Sequence, residues 1–562
     1  MKRVILTLLA IAILPCMLFA QTTEAGKPIV ELFDADITAP DSVHLDSSNV
    51  YILKEGVFVD GGAILSIDPG TIIKGEPGTG ADSKYLCVAR GGKIYAMGTE
   101  KKPIIFTGDV DNVDDPFDIP YGTNGLWGGV LILGNSVCNT PTGIQQIEGI
   151  PTDEPRGEYG GGASPDSLDN SGVFKYVSIR HGGTEIGAAN EINGLTMGAI
   201  GAGTELHHVE VYNNYDDGFE WFGGTVNTKY LVSAFNGDDA FDYDEGFRGY
   251  HQFWFVIQDS ANANRCGEHD GATGDEQGTP FAEPYIFNVT YIGGGSNTEN
   301  GDNDHALKIR DNAGGHYANG IIGYFGGDVV DIEDLCGADG SPEDSRSRLN
   351  AGDLTITNMY FWDFGDGPAT IDLFIEESYD CDGDEIEDST SNFAEVYMID
   401  PANNNHWTVD PMLINVDRNE GLHLLDPRLD PASPANTPGE PEPADPHFDD
   451  VDYHGAFPPA PATKADKGLD GVWISNWTYM WQRLHVALLC GDANADGNVN
   501  VSDAVWIINY VFIGGLPPYP LVAGDTNCDG SVNVSDAVFV INYVFIGGNS
   551  PCDTDGDTIP DC

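Results

Sequence analysis

The chain has 562 residues, which is too long for one ordinary domain unless that domain is a repeat solenoid. Its 89 acidic and 25 basic residues give a formal net charge of −64 at pH 7. Such a surface repels nucleic acids and anionic membranes, so we expect no nucleic-acid partner, and it suits cation binding or a saline habitat.

The amino terminus has the pattern of a secretory signal peptide over residues 1–20. Lys2 and Arg3 precede an uncharged apolar run over residues 4–19, and Ala20 stands before Gln21. The run is short for a membrane span, and no later segment reaches the length of one. We therefore predict a mature chain without a membrane span that is either secreted or attached to the cell surface.

Residues 56–425 repeat short apolar runs that are separated by Gly, Asn and Asp. The runs alternate in polarity and are rich in Val, Ile and aromatic residues, which predicts strands, and 71 glycines fit many tight turns. A series of β-sandwiches or a parallel β-helix could produce this pattern. Strand centres about 20–25 residues apart favour the β-helix, in which each coil buries its inner face against its neighbours. We assign residues 21–55 to an N-terminal extension or cap.

Two acidic clusters in this region lie 22 residues apart, since one begins at residue 216 and the other at residue 238. On consecutive coils their carboxylates would stack roughly 5 Å apart, which requires a cation or raised pKa values. The alternatives are a calcium site, a pair of glycosidase carboxylates, or aspartates that only form turns. The catalytic candidates of this region are Asp216, Asp217, Glu220, Asp239, Asp242 and Arg248.

Aromatic residues such as Trp221 and Phe241 interleave with these acids. They could stack on sugar rings or fill the core of the solenoid, and strand alternation allows both. Arg248 follows the second cluster and could serve as a base or form a structural ion pair.

Residues 426–489 begin with a stretch rich in Pro, Asp and Ala and end with Trp473, Trp477, Tyr479 and Trp481. The first part alone would be a flexible linker, but the aromatic residues need burial. We predict an extended wrap and aromatic cap on the solenoid, with a flexible linker as the alternative.

Residues 490–548 contain one pattern twice, at an offset of 33 residues (492 to 525), and each copy runs into a predicted helix, over 504–513 and 537–546. Oxygen-bearing side chains at loop positions 1, 3, 5, 9 and 12, with Gly at position 6, are what a twelve-residue calcium loop requires. The predicted metal ligands are Asp492, Asn494, Asp496, Asn498, Asn500 and Asp503, then Asp525, Asn527, Asp529, Ser531, Asn533 and Asp536, with position 7 contributing a backbone carbonyl. An acidic tail over 549–562 follows, and the nearby Cys490, Cys528, Cys552 and Cys562 could form two disulfides.

The duplicated loop and helix at 490–548 resemble a type I dockerin. That resemblance implies calcium binding, a cohesin-like partner and the company of carbohydrate-active enzymes. The segments at 61–75 (GGAILSIDPGTIIKG) and 216–224 (DDGFEWFGG) resemble the coils of secreted bacterial right-handed parallel β-helix proteins. In β-helix polysaccharide lyases a Lys or Arg base acts with Ca2+, an arrangement that Arg248 could imitate.

The sequence thus predicts a mainly β fold: a right-handed parallel β-helix solenoid with a small C-terminal all-α calcium-binding dockerin-like domain. The functional hypothesis is an exported protein whose solenoid binds or processes polysaccharide and whose tail docks onto a cohesin-like partner. If it is an enzyme, we expect a polysaccharide lyase or an O-glycosyl hydrolase. The alternative is a structural or adhesive cell-surface solenoid without catalysis.

Overall fold

The computed structural model describes residues 23–24, 26–187, 190–272, 274–335, 343–365, 373–378, 392–416, 418, 425–461, 472–484, 490–494, 498–515, 518 and 521–552. The predicted signal peptide, the predicted ligand Asp496 and residues 553–562 of the acidic tail lie outside the described residues. Strands and helices are numbered along the chain.

One parallel sheet has ten strands, each separated from the next by one coil of the solenoid. Its strands are β5 (Val57–Val59), β8 (Leu86–Val88), β11 (Val130–Leu133), β17 (Leu195–Gly198), β19 (Phe219–Phe222), β21 (Phe241–Asp244), β23 (Gly267–Asp270), β26 (His305–Arg310), β29 (Asp328–Asp334) and β32 (Phe374–Ser378). Residues alternate between the two faces, so Phe219 and Trp221 enter the core while Glu220 points away from it.

A second sheet of eighteen strands forms the other walls. Its strands are β1 (Thr23–Glu24), β2 (Lys27–Leu32), β3 (Ser42–Leu45), β4 (Val50–Leu53), β6 (Ile64–Ile67), β7 (Ile72–Gly75), β9 (Lys93–Met97), β10 (Ile104–Gly108), β14 (Gly172–Arg180), β18 (Glu205–Tyr212), β20 (Thr228–Ala234), β22 (Tyr250–Ile257), β24 (Tyr285–Phe287), β25 (Thr290–Ile292), β27 (Gly315–Ala318), β28 (Ile321–Phe325), β30 (Leu354–Thr357) and β31 (Tyr360–Phe364). Apart from the antiparallel pair β1–β2, its strand pairs are parallel. The predicted parallel β-helix is therefore confirmed.

Three further antiparallel pairs, five α-helices and four short 3-10 helices (Asp34–Asp36, Gly80–Asp82, Pro155–Gly157 and Leu521–Gly524) complete the described elements. The pairs are β12 (Gln145–Gln146) with β13 (Glu158–Tyr159), β15 (Thr184–Gly187) with β16 (Asn190–Ile192), and β33 (Leu413–Asn415) with β34 (Asp426–Leu429). The helices are α1 (Ser345–Ala351), α2 (Phe393–Met398), α3 (Tyr479–Leu484), α4 (Val501–Ile513) and α5 (Val534–Ile546). Among the described residues, none of these helices combines the length and apolar character that a bilayer crossing needs.

A column of left-handed residues bends the long strands of the eighteen-stranded sheet. Tyr176, His208, Tyr230 and Phe253 hold φ values of 48°, 53°, 57° and 61° at this corner, and the next coils place Asn288 there. Asparagine tolerates the left-handed backbone conformation with positive φ, whereas aromatic residues are strained in it. The rings stack on one another, with centroids 4.3 Å apart for Tyr176 and His208, which offsets part of that strain.

The N-terminal boundary differs from our expectation. We assigned residues 21–55 to an extension or cap, but β2 pairs with β4 in parallel register, and β4 pairs with β7. These strands are coils of the solenoid, which therefore begins before residue 56. The sequence signal was missed because these early strands are only partly buried on their outer side and carry charged residues such as Glu31.

The segment after β34 lies along the outside of the solenoid. Its Trp477, Tyr479 and Met480 form an apolar cluster with outward residues of β18, β20 and β22. The buried carboxylate of Glu210 accepts hydrogen bonds from the backbone N–H groups of Tyr479 (2.7 Å) and Met480 (2.8 Å). The described part of residues 426–489 thus packs against the coils.

Helices α4 and α5 pack on each other at the carboxyl end. Both begin three residues earlier than we predicted, because Asn500 and Asn533 cap them and loop positions 10–12 already form the first turn. Their shared core is small, with Ala493, Ala504, Ile507, Ala537 and Val540 buried. Cys528 and Cys552 form a disulfide, and Cys490 is also disulfide-bonded.

Candidate functional site

A column of ionisable side chains runs across the outer face of the ten-stranded sheet. Glu220 on β19 is the direct neighbour of Asp242 on β21, and Asp242 is the neighbour of Glu268 on β23. The column continues into Lys308 and Asp331 on the next two strands. The predicted stacking of the two acidic clusters on consecutive coils is confirmed.

Apolar residues close the end of this face that precedes β17. The outward residues Phe58, Cys87 and Leu131 are covered by an apolar cluster that includes Ile147 and Tyr159. The face therefore changes from covered and apolar to acidic at β17, and this sets where a ligand can reach the sheet.

Three carboxylates converge at the start of the acidic column. Oxygens of Asp217, Glu220 and Asp242 all lie within 4.8 Å of one another, and so do those of Asp216, Asp217 and Asp238. Two oxygens bound to one calcium ion at about 2.4 Å are at most about 4.8 Å apart, so this spacing fits a shared ion.

Two polar atoms at this point are buried without a hydrogen-bond partner among the residues that the structure describes. One is Oδ1 of Asp242. The other is the hydroxyl of Thr196 on β17, which is 1% exposed and is the register neighbour of Glu220 on β19. Buried polar oxygens without partners are costly, so each indicates a group that is met by a ligand or a water. Asn193 supplies the amide that donates to both Glu220 and Glu148.

Burial dominates the electrostatics of the cluster. It raises the pKa of Asp217, Glu220, Asp239 and Asp242 well above the ordinary carboxyl range, and neighbouring carboxylates add to the effect. Burial with the charge of Glu148 raises the pKa of Asp216 to about 8. Such a group releases protons when a cation binds, because the cation favours the ionised form.

A cavity of about 580 Å3 opens beside these carboxylates. Glu191, Asp216 and Asp238 line it together with Asn124 and the half-exposed ring of Tyr215. A ring edge next to carboxylate and amide groups can hold a sugar through stacking and hydroxyl hydrogen bonds.

Arg248 is not placed as we expected. Its guanidinium pairs with Glu283 at 2.8 Å and donates to the carbonyl of Phe281, and it forms no ion pair with the candidate carboxylates. Arg265 and Arg310 lie on the acidic face instead: each pairs with Glu268 at 3.4 Å, and Arg310 also contacts Asp270 at 2.8 Å.

Trp221 and Phe241, which lie between the acids in sequence, belong to the core. Trp221 is fully buried and stacks on Trp254 at 5.2 Å and on Phe247 at the same distance. Phe241 is likewise inside. Of the two alternatives, core filling therefore holds for Trp221 and Phe241, because each alternates onto the inner face. Tyr215, in the turn before β19, is the exposed aromatic residue of this site.

The two loops before α4 and α5 share one hydrogen-bonding scheme. In the second loop, Asp525 accepts from the N–H groups of Asp529 (3.1 Å) and Gly530 (2.8 Å), and the buried Asp536 accepts from Asn527 (3.2 Å) and Asn533 (2.8 Å). Burial raises the pKa of Asp536, and Asp525 and Asp529 add to that shift.

The first loop repeats the scheme, with Asp503 accepting from Asn494 (3.1 Å) and Asn500 (2.8 Å). Side-chain oxygens of Asn500 and Asn533 accept from Ser502 and Ser535 as helix caps, so these two would contact an ion through a water. Asn498 and Ser531 offer backbone carbonyls at position 7, and each carbonyl accepts from the amide two residues on. The donor set, hard oxygens in a turn around a glycine, fits calcium.

Two family models match the chain. Residues 36–400 match the one described as pectate-lyase like beta helix domain. The chain belongs to this family. In addition, residues 490–545 match the dockerin type I domain, which confirms the resemblance that the calcium loops indicated. No curated protein and no solved structure matches this pectate-lyase-like chain.

Several residues of the β-helix site were missed by sequence reasoning. Glu148 lies in a long loop without periodicity, and Thr196 and Asn193 precede the acidic clusters by a full coil. Their only sequence signal was the coil spacing of about 22–26 residues, which puts Thr196 one coil before Glu220.

Proposed function

We propose that this pectate-lyase-like β-helix binds an acidic polysaccharide through calcium held by Asp217, Glu220 and Asp242. The observation that carries the proposal is the convergence of these three carboxylates, one of which, Asp242, has a buried Oδ1 without a hydrogen-bond partner among the described residues. A bound calcium ion would take oxygens from the protein and offer its remaining positions to the carboxylates of the ligand. This overcomes the repulsion that a chain of net charge −64 exerts on a polyanion.

Binding is favoured over turnover because the basic groups on this face already face carboxylates. Arg265 and Arg310 pair with Glu268, and Lys308 lies 3.9 Å from Asp331. A base for proton abstraction must instead be free to take a proton from the substrate. A lyase or hydrolase activity, or a structural solenoid that binds no glycan, are the competing outcomes of the test below.

The dockerin supports a second part of the proposal, in which the chain is tethered outside the cell to a cohesin-like protein. Each helix exposes an apolar stripe that its partner helix does not cover. The stripes are Val505, Ile508 and Phe512 on α4, and Val538, Ile541 and Phe545 on α5. Exposed apolar stripes of this kind mark protein-binding surfaces. Calcium-dependent capture by type I cohesin modules tests this part.

The experiment for the solenoid is calorimetric titration of the full chain with hexagalacturonate in 2 mM calcium and in EDTA. We expect binding that requires calcium and is weakened about tenfold or more by Asp242→Asn and by Glu220→Gln, since each removes one anionic ligand. Glu283→Gln is the control, because it alters the partner of Arg248 away from the column.

The same mixtures are assayed for unsaturated uronate products and for reducing ends. If the unaltered protein releases products and Asp242→Asn does not, the function is that of a lyase or hydrolase and not binding alone. If the titration shows no binding of hexagalacturonate in calcium or in EDTA, the structural solenoid is favoured and the proposal is overturned.

A further inference from the structure

A second cavity, of about 490 Å3, lies on the eighteen-stranded sheet where the wrap crosses β18 and β20. Glu205, His207, Lys229 and Tyr230 line it from the strands, and Asp449 lines it from the wrap. These segments are more than 200 residues apart in sequence, so the cavity exists only when the wrap is docked. It shares no lining residue with the acidic column.

The corner at His208 gives this cavity its polar wall. His208 has a φ of 53°, so His207 and His208 turn to the same side although they are adjacent in the strand, and their Nδ1 atoms are 2.7 Å apart. Nε2 of His207 lies 3.2 Å from Glu205. The consistent assignment has His207 donating to Glu205 and accepting from Nδ1–H of His208. Burial lowers the pKa of His208 to about 3, so that ring is neutral.

Each cation of the cavity is matched by a carboxylate. Lys229 contacts Asp449 at 2.8 Å, and Lys175, beside the cavity, contacts Glu205 at 2.7 Å. Tyr230 donates its hydroxyl to Asp449 at 3.4 Å. The cavity is therefore rich in alternating donors and acceptors but carries no excess of positive charge.

We propose that this cavity binds a neutral saccharide unit. Its volume falls in the range of small-molecule pockets, and its wall offers an aromatic ring edge, a lysine, an imidazole and two carboxylates to sugar hydroxyls. An acidic sugar is disfavoured because Glu205 and Asp449 are each about half exposed and would face its carboxylate. The ligand class rests on the proposed polysaccharide function, but the residues differ and no calcium is required.

The test is calorimetric titration of the full chain, in EDTA, with cellohexaose, xylohexaose, mannohexaose and hexagalacturonate. We expect at least one neutral hexasaccharide to bind. Asp449→Asn and Lys229→Met should weaken it about fivefold or more, since each removes one charge-assisted hydrogen-bonding partner. Asp450→Asn, on the neighbouring wrap residue that does not line the cavity, and Glu220→Gln, on the acidic column, should leave it unchanged.

Three results would overturn the assignment: no neutral hexasaccharide binds in EDTA, both cavity variants bind as the unaltered protein does, or hexagalacturonate alone is bound and Lys229→Met abolishes this. Asp449→Asn preserves the shape of the side chain, so an unchanged thermal unfolding curve for this variant shows that the wrap is still docked and that any lost affinity comes from the cavity. If Lys229→Met does not fold, the affinity of Asp449→Asn alone decides the test. If a neutral hexasaccharide binds but hexagalacturonate does not bind in calcium, only the proposal for the acidic column is rejected. The reverse pattern would reject only this one.

Discussion

Glu245 carries a buried carboxyl group at a strained backbone position beneath the loop that covers the ten-stranded sheet. Its φ is 54°, it is 2% exposed, and the hydroxyl of Tyr159 donates to it. Burial raises the pKa of Glu245 to about 8, while the hydrogen bond from Tyr159 lowers it. The group thus holds its proton in the folded chain at a pH where an exposed glutamate has lost it.

The first prediction is a pH-dependent gain for Glu245→Gln. The folded pKa of about 8 exceeds the usual 4.5, so this group's stabilisation is complete below about pH 4.5 and is lost as the pH rises through 8. The glutamine variant avoids that loss. It should differ little from the unaltered protein at pH 5 and be more stable at pH 9, by about 3–5 kcal/mol, since one unit of pKa difference corresponds to about 1.4 kcal/mol.

Thermal unfolding from pH 5 to pH 9 in EDTA measures this effect. Glu31→Gln, at a half-exposed glutamate, is the control and should show no gain at pH 9. Parallel loss of stability in Glu245→Gln and the unaltered protein would contradict the assignment of the buried proton to Glu245.

At the level of single residues, the sequence predicted where the acidic side chains lie but not which aromatic side chains are buried. The sequence placed Glu220 and Asp242 on consecutive coils from their spacing, and the strand register agrees. It left open which aromatic residue was exposed, because Trp221 and Tyr215 look alike beside acids. The inner face of β19 buries Trp221, while the preceding turn leaves Tyr215 half exposed.

At the scale of elements, the dockerin depends on few apolar contacts. Five buried residues join α4 and α5, and the disulfide between Cys528 and Cys552 ties the second loop to the chain after α5. Two loops that each gather carboxylates around one point repel themselves without a cation. We therefore expect folding of this module to be coupled to metal binding, because an ion would supply what the small core lacks.

The second prediction is that chelation unfolds residues 490–552 and leaves the solenoid intact. Hydrogen exchange of the full chain in calcium should show protected amides in α4 and α5, and EDTA should remove that protection. Amides of β14, β18, β20 and β22 should keep theirs, since their ladder bonds are buried between neighbouring coils.

A variant carrying both Asp503→Asn and Asp536→Asn should exchange rapidly in α4 and α5 even with calcium, because the last loop ligand is weakened in each half. Protection of α4 and α5 in EDTA would contradict coupled folding.

One buried carboxyl group, that of Glu210, helps to hold the wrap on the solenoid. Glu210 accepts from Ser178 as well as from the first backbone N–H groups of α3, and Arg180 lies 4.2 Å over the ring of Tyr479. A buried carboxylate with several donors and a nearby cation fixes a segment more firmly than apolar contact alone.

At the scale of the whole molecule, a net charge of −64 works against compaction. Several basic residues form ion pairs that bridge coils, as when Lys54 contacts both Glu31 and Glu76. Most of the excess carboxylates repel one another across the surface, and salt screens that repulsion over about 8–10 Å at physiological strength.

The third prediction is that salt stabilises the chain. Raising NaCl from about 20 mM to about 500 mM in EDTA should raise the Tm by several degrees, because screening weakens the self-repulsion of the folded state. In calcium the rise should be smaller, since bound ions already neutralise part of the charge. A sucrose series is the non-ionic control. A Tm that is unchanged or lower in NaCl would contradict this account.

The sequence by itself determined the periodic features of this protein. Strand alternation and coil spacing favoured a parallel β-helix, segments that resemble known coils decided for it, and the doubled loop indicated the dockerin. Only the tertiary structure decided which side chains meet. Glu148 and Thr196 lie beside the carboxylates of later coils, and Arg248 pairs with Glu283. Asp449 closes a cavity whose other walls come from strands more than 200 residues earlier in the chain. These contacts depend on where loops and the wrap cross the coils, and the path of a loop follows from packing and not from any period in its residues.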